Sequence, residues 1–100
     1  MYIVTKTLTR PNSNVSFMLM NDEPEVIKMH WYNTYRQSNK CLKIETTGTD
    51  NTLVFKMYWD SKQSYNDCVA DQFLMKNLYL KRDRYYKKSG VVVSVSATEN

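Results

Sequence analysis

Residues Leu53 to Val69 read LVFKMYWDSKQSYNDCV and change from the periodicity of a strand to that of a helix. Up to Trp59 the side chains alternate, which places Leu53, Phe55, Met57 and Trp59 on one side and Val54, Lys56 and Tyr58 on the other. After the helix cap predicted at Asp60-Ser61, apolar residues recur every four positions at Tyr65, Val69 and Phe73. The stretch therefore predicts a strand, a cap and an amphipathic helix in the middle of the chain.

The rest of the chain predicts three further strands and one further helix. Alternation and β-branched residues place the strands at Tyr2 to Thr9, Cys41 to Thr47, Thr52 to Trp59 and Val91 to Ala97. The first helix begins in the capping sequence Asn21 to Glu25 and runs to about Gln37, with Ile27, Trp31 and Tyr35 on one stripe and Lys28 and Arg36 outside it. The second helical region runs from Ser61 to Lys88, is broken near Ala70-Asp71, and is closed by Gly90.

The order of these elements is β-α-β-β-α-β, with a hairpin predicted at Gly48 to Asn51. This order is typical of α+β ferredoxin-like folds, in which helices cover one face of a four-stranded antiparallel sheet. Residues 1–100 are expected to form one such domain. The short apolar run Val15 to Met20 cannot be assigned to strand or helix by its period.

Composition indicates a globular protein, with 42% apolar and 24% charged residues. The longest apolar runs are too short to cross a bilayer and no secretory signal is visible, so a cytoplasmic location and no membrane partner are expected. Cys41 and Cys68 are then expected to be buried, reduced thiols. The chain has no histidine-cysteine cluster and no glycine-rich phosphate loop, so neither a metal nor a cofactor is predicted.

Several strands carry apolar residues at neighbouring positions, as in Ile3-Val4, Leu53-Val54-Phe55 and Val91-Val92-Val93. Such strands predict an apolar sheet face that the helices leave uncovered. A second copy packed sheet to sheet in a homodimer would bury that face. The alternative is that Val15 to Met20 covers it within one chain.

The sequence Trp59-Asp60-Ser61-Lys62-Gln63-Ser64-Tyr65 resembles the W-x-S-x-x-x-aromatic signature of dimeric α+β barrel proteins. This superfamily includes the antibiotic-biosynthesis-type monooxygenases and the haem-degrading monooxygenases. The residue-level similarity covers about Val54 to Phe73, whereas the order of elements is similar over the whole chain. The resemblance implies the ferredoxin-like fold, a homodimer, and oxidation of aromatic substrates without a cofactor. It implies a structural role for Trp59 and a helix cap at Ser61 or Asp60.

The residues that haem-degrading members use are not found at the matching positions. The first strand has Thr5 and Thr7 instead of the asparagine, Cys68 stands at the tryptophan position, and no histidine lies near Asn77-Leu78. Haem degradation is therefore not expected, and no residue is assigned a catalytic role.

A pocket for a small aromatic ligand is predicted between the sheet and the helices. The residues expected to line it are aromatic or imidazole side chains near the strand-helix junction and on the first helix: Tyr2, His30, Trp31, Trp59 and Tyr65. His30 is the only histidine, and a single histidine on an amphipathic helix is more often a structural residue at the boundary of the core.

A second class of function is a non-enzymatic binding module. Residues 76–88 contain six basic side chains against Asp83 alone, with tyrosines between them. The segment 81–88 could bind nucleic acid or an acidic partner through Lys81, Arg82, Arg84, Lys87 and Lys88. The alternative is the solvated, basic end of a long helix. Asn, Lys and Tyr make up 27 of the 100 residues, a bias that AT-rich coding produces and that many bacteriophage genes share.

Overall fold

Four strands form one antiparallel sheet in the computed structural model, which describes all residues from Met1 to Asn100. They are β1 (Tyr2–Thr9), β2 (Cys41–Gly48), β3 (Thr52–Trp59) and β4 (Val92–Glu99), in the order β2-β3-β1-β4. β1 pairs along its whole length with β3 on one side and β4 on the other. The predicted α+β ferredoxin-like architecture is confirmed, and each strand end lies within two residues of its predicted position.

Two helical regions cover one face of this sheet. The first is α1 (Glu25–Trp31), which continues as a π-helix over Tyr32–Arg36. The second contains α2 (Lys62–Val69), α3 (Gln72–Leu74), a π-helix over Met75–Tyr79 and α4 (Leu80–Ser89). No helix in the structure has the length and apolarity that crossing a membrane requires.

The predicted ends of the second helical region are confirmed by their capping contacts. The Ser61 hydroxyl accepts a hydrogen bond from the backbone N–H of Ser64 and so caps α2. The break follows at Ala70, after which the Asp71 carboxylate accepts from the N–H of Leu74 at 2.9 Å. Gly90 closes α4 with a φ of 79°, a conformation that glycine adopts without strain.

The helical stripe predicted from Tyr65, Val69 and Phe73 is confirmed at Tyr65 and Phe73, which pack against the core, and is wrong at Val69. Val69 is 46% exposed, and α2 instead buries Ser64 and Cys68. The break at Ala70-Asp71 and the π-helical turn after α3 rotate the chain, so a constant four-residue period does not continue across them. The stripe predicted for the first helix is confirmed, since Ile27 and Tyr35 are buried and Trp31 is half-buried. That helix begins after Pro24 without a side-chain cap, contrary to the predicted capping sequence.

The segment Val15 to Met20 lies outside the sheet and joins the core on the side of the helices. Phe17 and Met18 pack against a small cluster formed by Leu8, Tyr86 and Val91. The Tyr86 hydroxyl donates to the carbonyl oxygen of Phe17 at 2.5 Å. The segment therefore does not cover the opposite face of the sheet, which removes that alternative.

The face of the sheet away from the helices, here called the outer face, is uncovered and mostly carries hydroxyl side chains. On β1 it presents Ile3, Thr5, Thr7 and Thr9, and the paired positions on β4 are Thr98, Ser96, Ser94 and Val92. Leu53, Phe55 and Val93 point to the helix side instead. The expectation of a continuous apolar patch is therefore wrong: Ile3, Val54 and Val92 are scattered among polar neighbours.

The two cysteines are buried, as predicted. Cys41 is fully buried beside Trp59, and Cys68 is buried on α2. Both belong to the larger core cluster at one end of the sheet, whereas the cluster around Leu8 lies at the other end. The helix-facing surface of the sheet between them is incompletely filled.

Candidate functional site

An open cleft of about 920 Å³ lies between the helical layer and the sheet. The sheet contributes its floor, mainly Ile44, Leu53, Phe55 and Met57, and the helices and the segment 15–20 contribute the walls, among them Phe17, Trp31 and Leu78. Apolar residues make up 22 of the 28 lining positions. The volume lies in the range of about 300–1,000 Å³ that is typical of small-molecule sites, and so does the predominantly apolar lining.

Both π-helical turns border this cleft. Tyr32 and Arg36 line it from the first turn, and Met75 and Tyr79 line it from the second. A π-helical turn changes the direction of successive side chains, and such turns often occur at functional sites. The two irregularities therefore shape the wall that faces the sheet.

The polar residues of the cleft are strongly biased in charge. Four basic side chains line it, Lys6, Lys28, Arg36 and Arg82, and no acidic side chain does. Two of these cations already have partners. The Lys28 Nζ lies 3.3 Å from a Glu25 carboxylate oxygen, and Arg36 donates to the carbonyl oxygen of Cys41 at 2.9 Å.

Lys6 enters the cleft from the central strand. It lies between Val4 and Leu8 on the helix-facing side of β1, and both of these neighbours are buried. Burial lowers the pKa of the Lys6 amine to about 8, and the nearby charge of Arg82 lowers it in the same direction. The amine has neither a salt bridge nor a hydrogen bond within the chain to offset the loss of hydration.

Arg82 faces Lys6 from α4. Its Nε atom is buried and has no hydrogen-bond partner, and burial lowers the pKa of its guanidinium group. Lys6 and Arg82 also line a smaller recess of about 300 Å³ that adjoins the cleft, together with Tyr79, Tyr86, Val93 and Asp83. Asp83 is exposed and its carboxylate pairs with the Lys87 amine at 3.0 Å. This end of the site is therefore cationic, whereas the rest of the cleft is apolar.

Trp59 lies at the end of the cleft opposite Lys6 and Arg82. Its side chain is 1% exposed, and its ring contacts those of Trp31, Tyr35 and Tyr65 at centroid distances of 6.0, 6.1 and 5.6 Å. The indole Nε1 is buried without a hydrogen-bond partner. Trp59 therefore holds the helices on the sheet and also offers one unpaired donor.

Only three of the five predicted ligand-binding residues line the cleft. Trp31, Trp59 and Tyr65 line the cleft, whereas Tyr2 and His30 do not. The Tyr2 ring packs on that of Tyr65 with a centroid distance of 5.6 Å. A 2.8 Å hydrogen bond joins His30 Nε2 to Asp71 Oδ2.

Asp71 is the centre of a small polar cluster behind the cleft. Besides capping α3 it accepts hydrogen bonds from His30 and from the buried Tyr35 hydroxyl. Burial alone would raise the pKa of Asp71. The hydrogen bonds from Tyr35, His30 and Leu74 together lower it by more, so the pKa lies below its ordinary value. The cluster fixes the first helix to the break in the second, a structural role for the only histidine.

The basic residues of the segment 81–88 do not form one surface. Lys81 pairs with the buried carboxylate of Glu23, Lys87 pairs with Asp83, and Arg82 faces the cleft. Arg84 and Lys88 are exposed. Two of the interleaved tyrosines also face inward, because Tyr86 is buried and the Tyr79 hydroxyl donates to the Cys68 carbonyl oxygen at 2.7 Å. Nucleic-acid binding through this segment stays a prediction from the sequence.

The cleft holds few groups suited to nucleophilic catalysis or metal binding. Burial raises the pKa of the Cys68 thiol to about 11, which keeps it protonated near neutral pH. No group of three or more His, Cys, Asp or Glu side chains is placed to hold a metal ion. Lys6 was not predicted as a site residue, and Arg82 was assigned to the basic segment.

Comparison with known proteins agrees with this architecture. No protein-family model and no curated protein sequence matches the chain. Among solved structures, it is similar to a candidate antibiotic biosynthesis monooxygenase from Deinococcus radiodurans, with a TM-score of 0.60 and 16% identity over 100% of this chain and 92% of the other. A variant of SnoaB, a cofactor-independent oxygenase from Streptomyces nogalater, gives a TM-score of 0.60 and 8% identity over 99% and 91% of the two chains.

A dimeric ferredoxin-like protein from an uncultured marine organism is also similar, with a TM-score of 0.57 and 13% identity over 97% of this chain and 92% of the other. At these identities the likeness concerns the fold alone. The ferredoxin-like α+β fold, which the order of elements in the sequence indicates, is thus confirmed.

Proposed function

We propose that this protein binds a small, predominantly apolar and aromatic ligand in the cleft between its sheet and its helices. The observation that carries the proposal is the cleft itself, because its volume and its apolar lining match those of small-molecule sites. The aromatic rings of Trp31, Trp59 and Tyr65 offer faces and edges against which an aromatic ligand can pack. We further propose that residues 1–100 form a single domain. A cytoplasmic location stays a prediction from the sequence.

A substitution that fills the cleft tests this proposal. Thr46 lines the cleft on β2, and its neighbour Thr47 points to the outer face, so Thr46→Trp and Thr47→Trp add the same ring on opposite sides. With the neutral dye Nile red as a probe, we expect Thr46→Trp to weaken binding by about tenfold and Thr47→Trp to leave it unchanged. Equal affinities for the two variants, measured by fluorescence titration, would argue against the cleft.

A second candidate is oxidation of an aromatic ligand without a cofactor. It is supported by the similar folds of SnoaB and of the candidate monooxygenase. The Lys6 amine, with a pKa of about 8, is the one group at the polar end of the cleft that could accept a proton from a phenol near neutral pH. Oxygen uptake with a panel of hydroquinones is the test, and uptake at the background rate for the whole panel would remove this candidate.

We also propose that the chain forms a homodimer through the outer face. That face is uncovered in one chain, and two similar structures are described as dimeric ferredoxin-like proteins. The row Ile3, Thr5 and Thr7 at its centre is half-buried within one chain, and small hydroxyl side chains allow a second sheet to approach closely.

Val54→Arg is expected to break this dimer. Val54 lies beside Thr7 on the outer face, and an arginine there would place a bulky second cation next to Lys56 between the two sheets. Sedimentation equilibrium should give twice the chain mass of 11.9 kDa for the natural sequence and for Lys88→Glu, but a single chain mass for Val54→Arg. A mass of 11.9 kDa for the natural sequence at every concentration would contradict the dimer.

A further inference from the structure

We propose that the ligand of the cleft is an organic acid, with an apolar aromatic body on the sheet and a carboxylate held between Lys6 and Arg82. This inference rests on the proposed function and specifies the class of ligand. It follows from the arrangement of charges in the cleft.

The first step is that two cations face one another and neither forms a salt bridge with a carboxylate of the chain. Lys6 and Arg82 line both the cleft and the adjoining recess, and no salt bridge involves either side chain. Buried cations in proteins are normally paired, because the loss of hydration is otherwise uncompensated. Of the carboxylates near this pair, Asp83 is exposed and pairs with Lys87. The buried Glu23, whose charge acts on Arg82, pairs with Lys81.

The second step is that the donors fit a carboxylate. The guanidinium plane of arginine presents parallel N–H groups to two oxygens, and the lysine amine adds a third donor. The Arg82 Nε–H is buried and bonds to no group of the chain, so the guanidinium group keeps donors for which the protein supplies no acceptor.

The third step concerns the other cations. Lys28 and Arg36 also line the cleft, but Lys28 pairs with Glu25, and Arg36 donates to the Cys41 carbonyl oxygen and has no buried donor without a partner. The Lys6-Arg82 end is therefore where we expect the acid group. The remaining walls, such as Phe55, Met57 and Leu78, are apolar and suit the body of the ligand.

The test uses a matched pair of fluorescent probes, 1-pyrenebutyric acid and the neutral 1-pyrenebutanol, which share the same aromatic body. At pH 7 we expect the acid to bind the natural protein at least about tenfold more tightly than the alcohol, because charge-assisted hydrogen bonds form with the acid alone. Equal affinities for the two probes would overturn this inference and leave the proposed function standing. If neither probe binds, the proposed function itself fails.

Variants then assign the preference to its residues. Lys6→Met and Arg82→Met should each reduce the acid-to-alcohol ratio to below about threefold, because the acid loses a charge-assisted donor that the alcohol does not use. Lys88→Met is the control, because Lys88 is exposed on α4 and does not line the cleft, and it should keep the full ratio. A ratio that survives in both Lys6→Met and Arg82→Met would place the acid elsewhere and overturn the assignment. The ratio in the natural protein decides the class of ligand even if a variant does not fold.

Discussion

Trp59→Ala is expected to lower the free energy of unfolding by about 4 kcal/mol, which is a large part of the stability of a domain of this size. The side chain is almost completely buried at the end of β3 and contacts three other aromatic rings. Alanine would leave a cavity between the sheet and both helical regions. Urea unfolding followed by circular dichroism measures the change.

Two further variants show which property of Trp59 matters. Val54→Ala, on the opposite face of the same strand, should cost only about 1 kcal/mol because Val54 is half-buried. Trp59→Phe keeps a ring in the cavity and loses an N–H group that bonds to nothing in the chain, so it should cost clearly less than alanine. If Trp59→Phe lowers the free energy of unfolding as much as Trp59→Ala does, the indole N–H makes an interaction that is absent from this structure.

Lys6→Met is expected to stabilise the ligand-free protein, in contrast to most substitutions of buried residues. Burial lowers the pKa of Lys6 from 10.5 to about 8, so the folded state disfavours the charged amine. A difference of this size corresponds to about 3 kcal/mol, and we expect a gain of about 2 kcal/mol at pH 7 because the side chain keeps some contact with water. The thermal midpoint and the urea midpoint should both rise.

The gain should depend on pH with a definite sign. Below pH 8 both folded and unfolded states carry the charge, so the natural protein bears the full cost of burying it. Between pH 8 and 10.5 only the unfolded state stays protonated, so the natural protein gains stability relative to Lys6→Met as the pH rises. The charged and titratable groups near the amine are Arg82, Cys68, Tyr79, Tyr86 and Asp83, and all of them are present in both proteins.

Lys76→Met provides the control for this prediction. Lys76 is exposed on the helical side of the molecule and forms no salt bridge, so its replacement should change stability by less than about 0.5 kcal/mol. If Lys6→Met is instead less stable than the natural protein at pH 7, the Lys6 amine has a favourable partner in the folded state, and the need for an external anion disappears.

Much of the fold could be predicted because local patterns and tertiary structure agree. Alternation around Trp59, the cap at Ser61 and the closing Gly90 each depend on neighbouring residues in the chain. The stripe through Val69 failed because the turn at Ala70 and the π-helix after α3 depend on contacts with other elements. The polarity of the outer face could not be predicted for a related reason. A run such as Val91-Val92-Val93 does not show which of its side chains point to the helices and which to the outer face.

The cleft was only partly predictable. Trp31, Trp59 and Tyr65 were expected there from their aromatic character and lie there. Lys6 is not among the predicted site residues, although the alternation of Tyr2 to Thr9 places it on the same face as Val4 and Leu8. Arg82 could not be separated from the basic residues around it, because only the packing of α4 on the sheet shows which of them faces inward.

A crystal structure of the protein with 1-pyrenebutyric acid measures most directly whether the cleft is the binding site. The pyrene rings are expected on Phe55 and Met57, beneath the helices, with both carboxylate oxygens within hydrogen-bonding distance of Lys6 and Arg82. Pyrene bound on the outer face, or bound in the cleft with its carboxylate in solvent, would contradict this assignment.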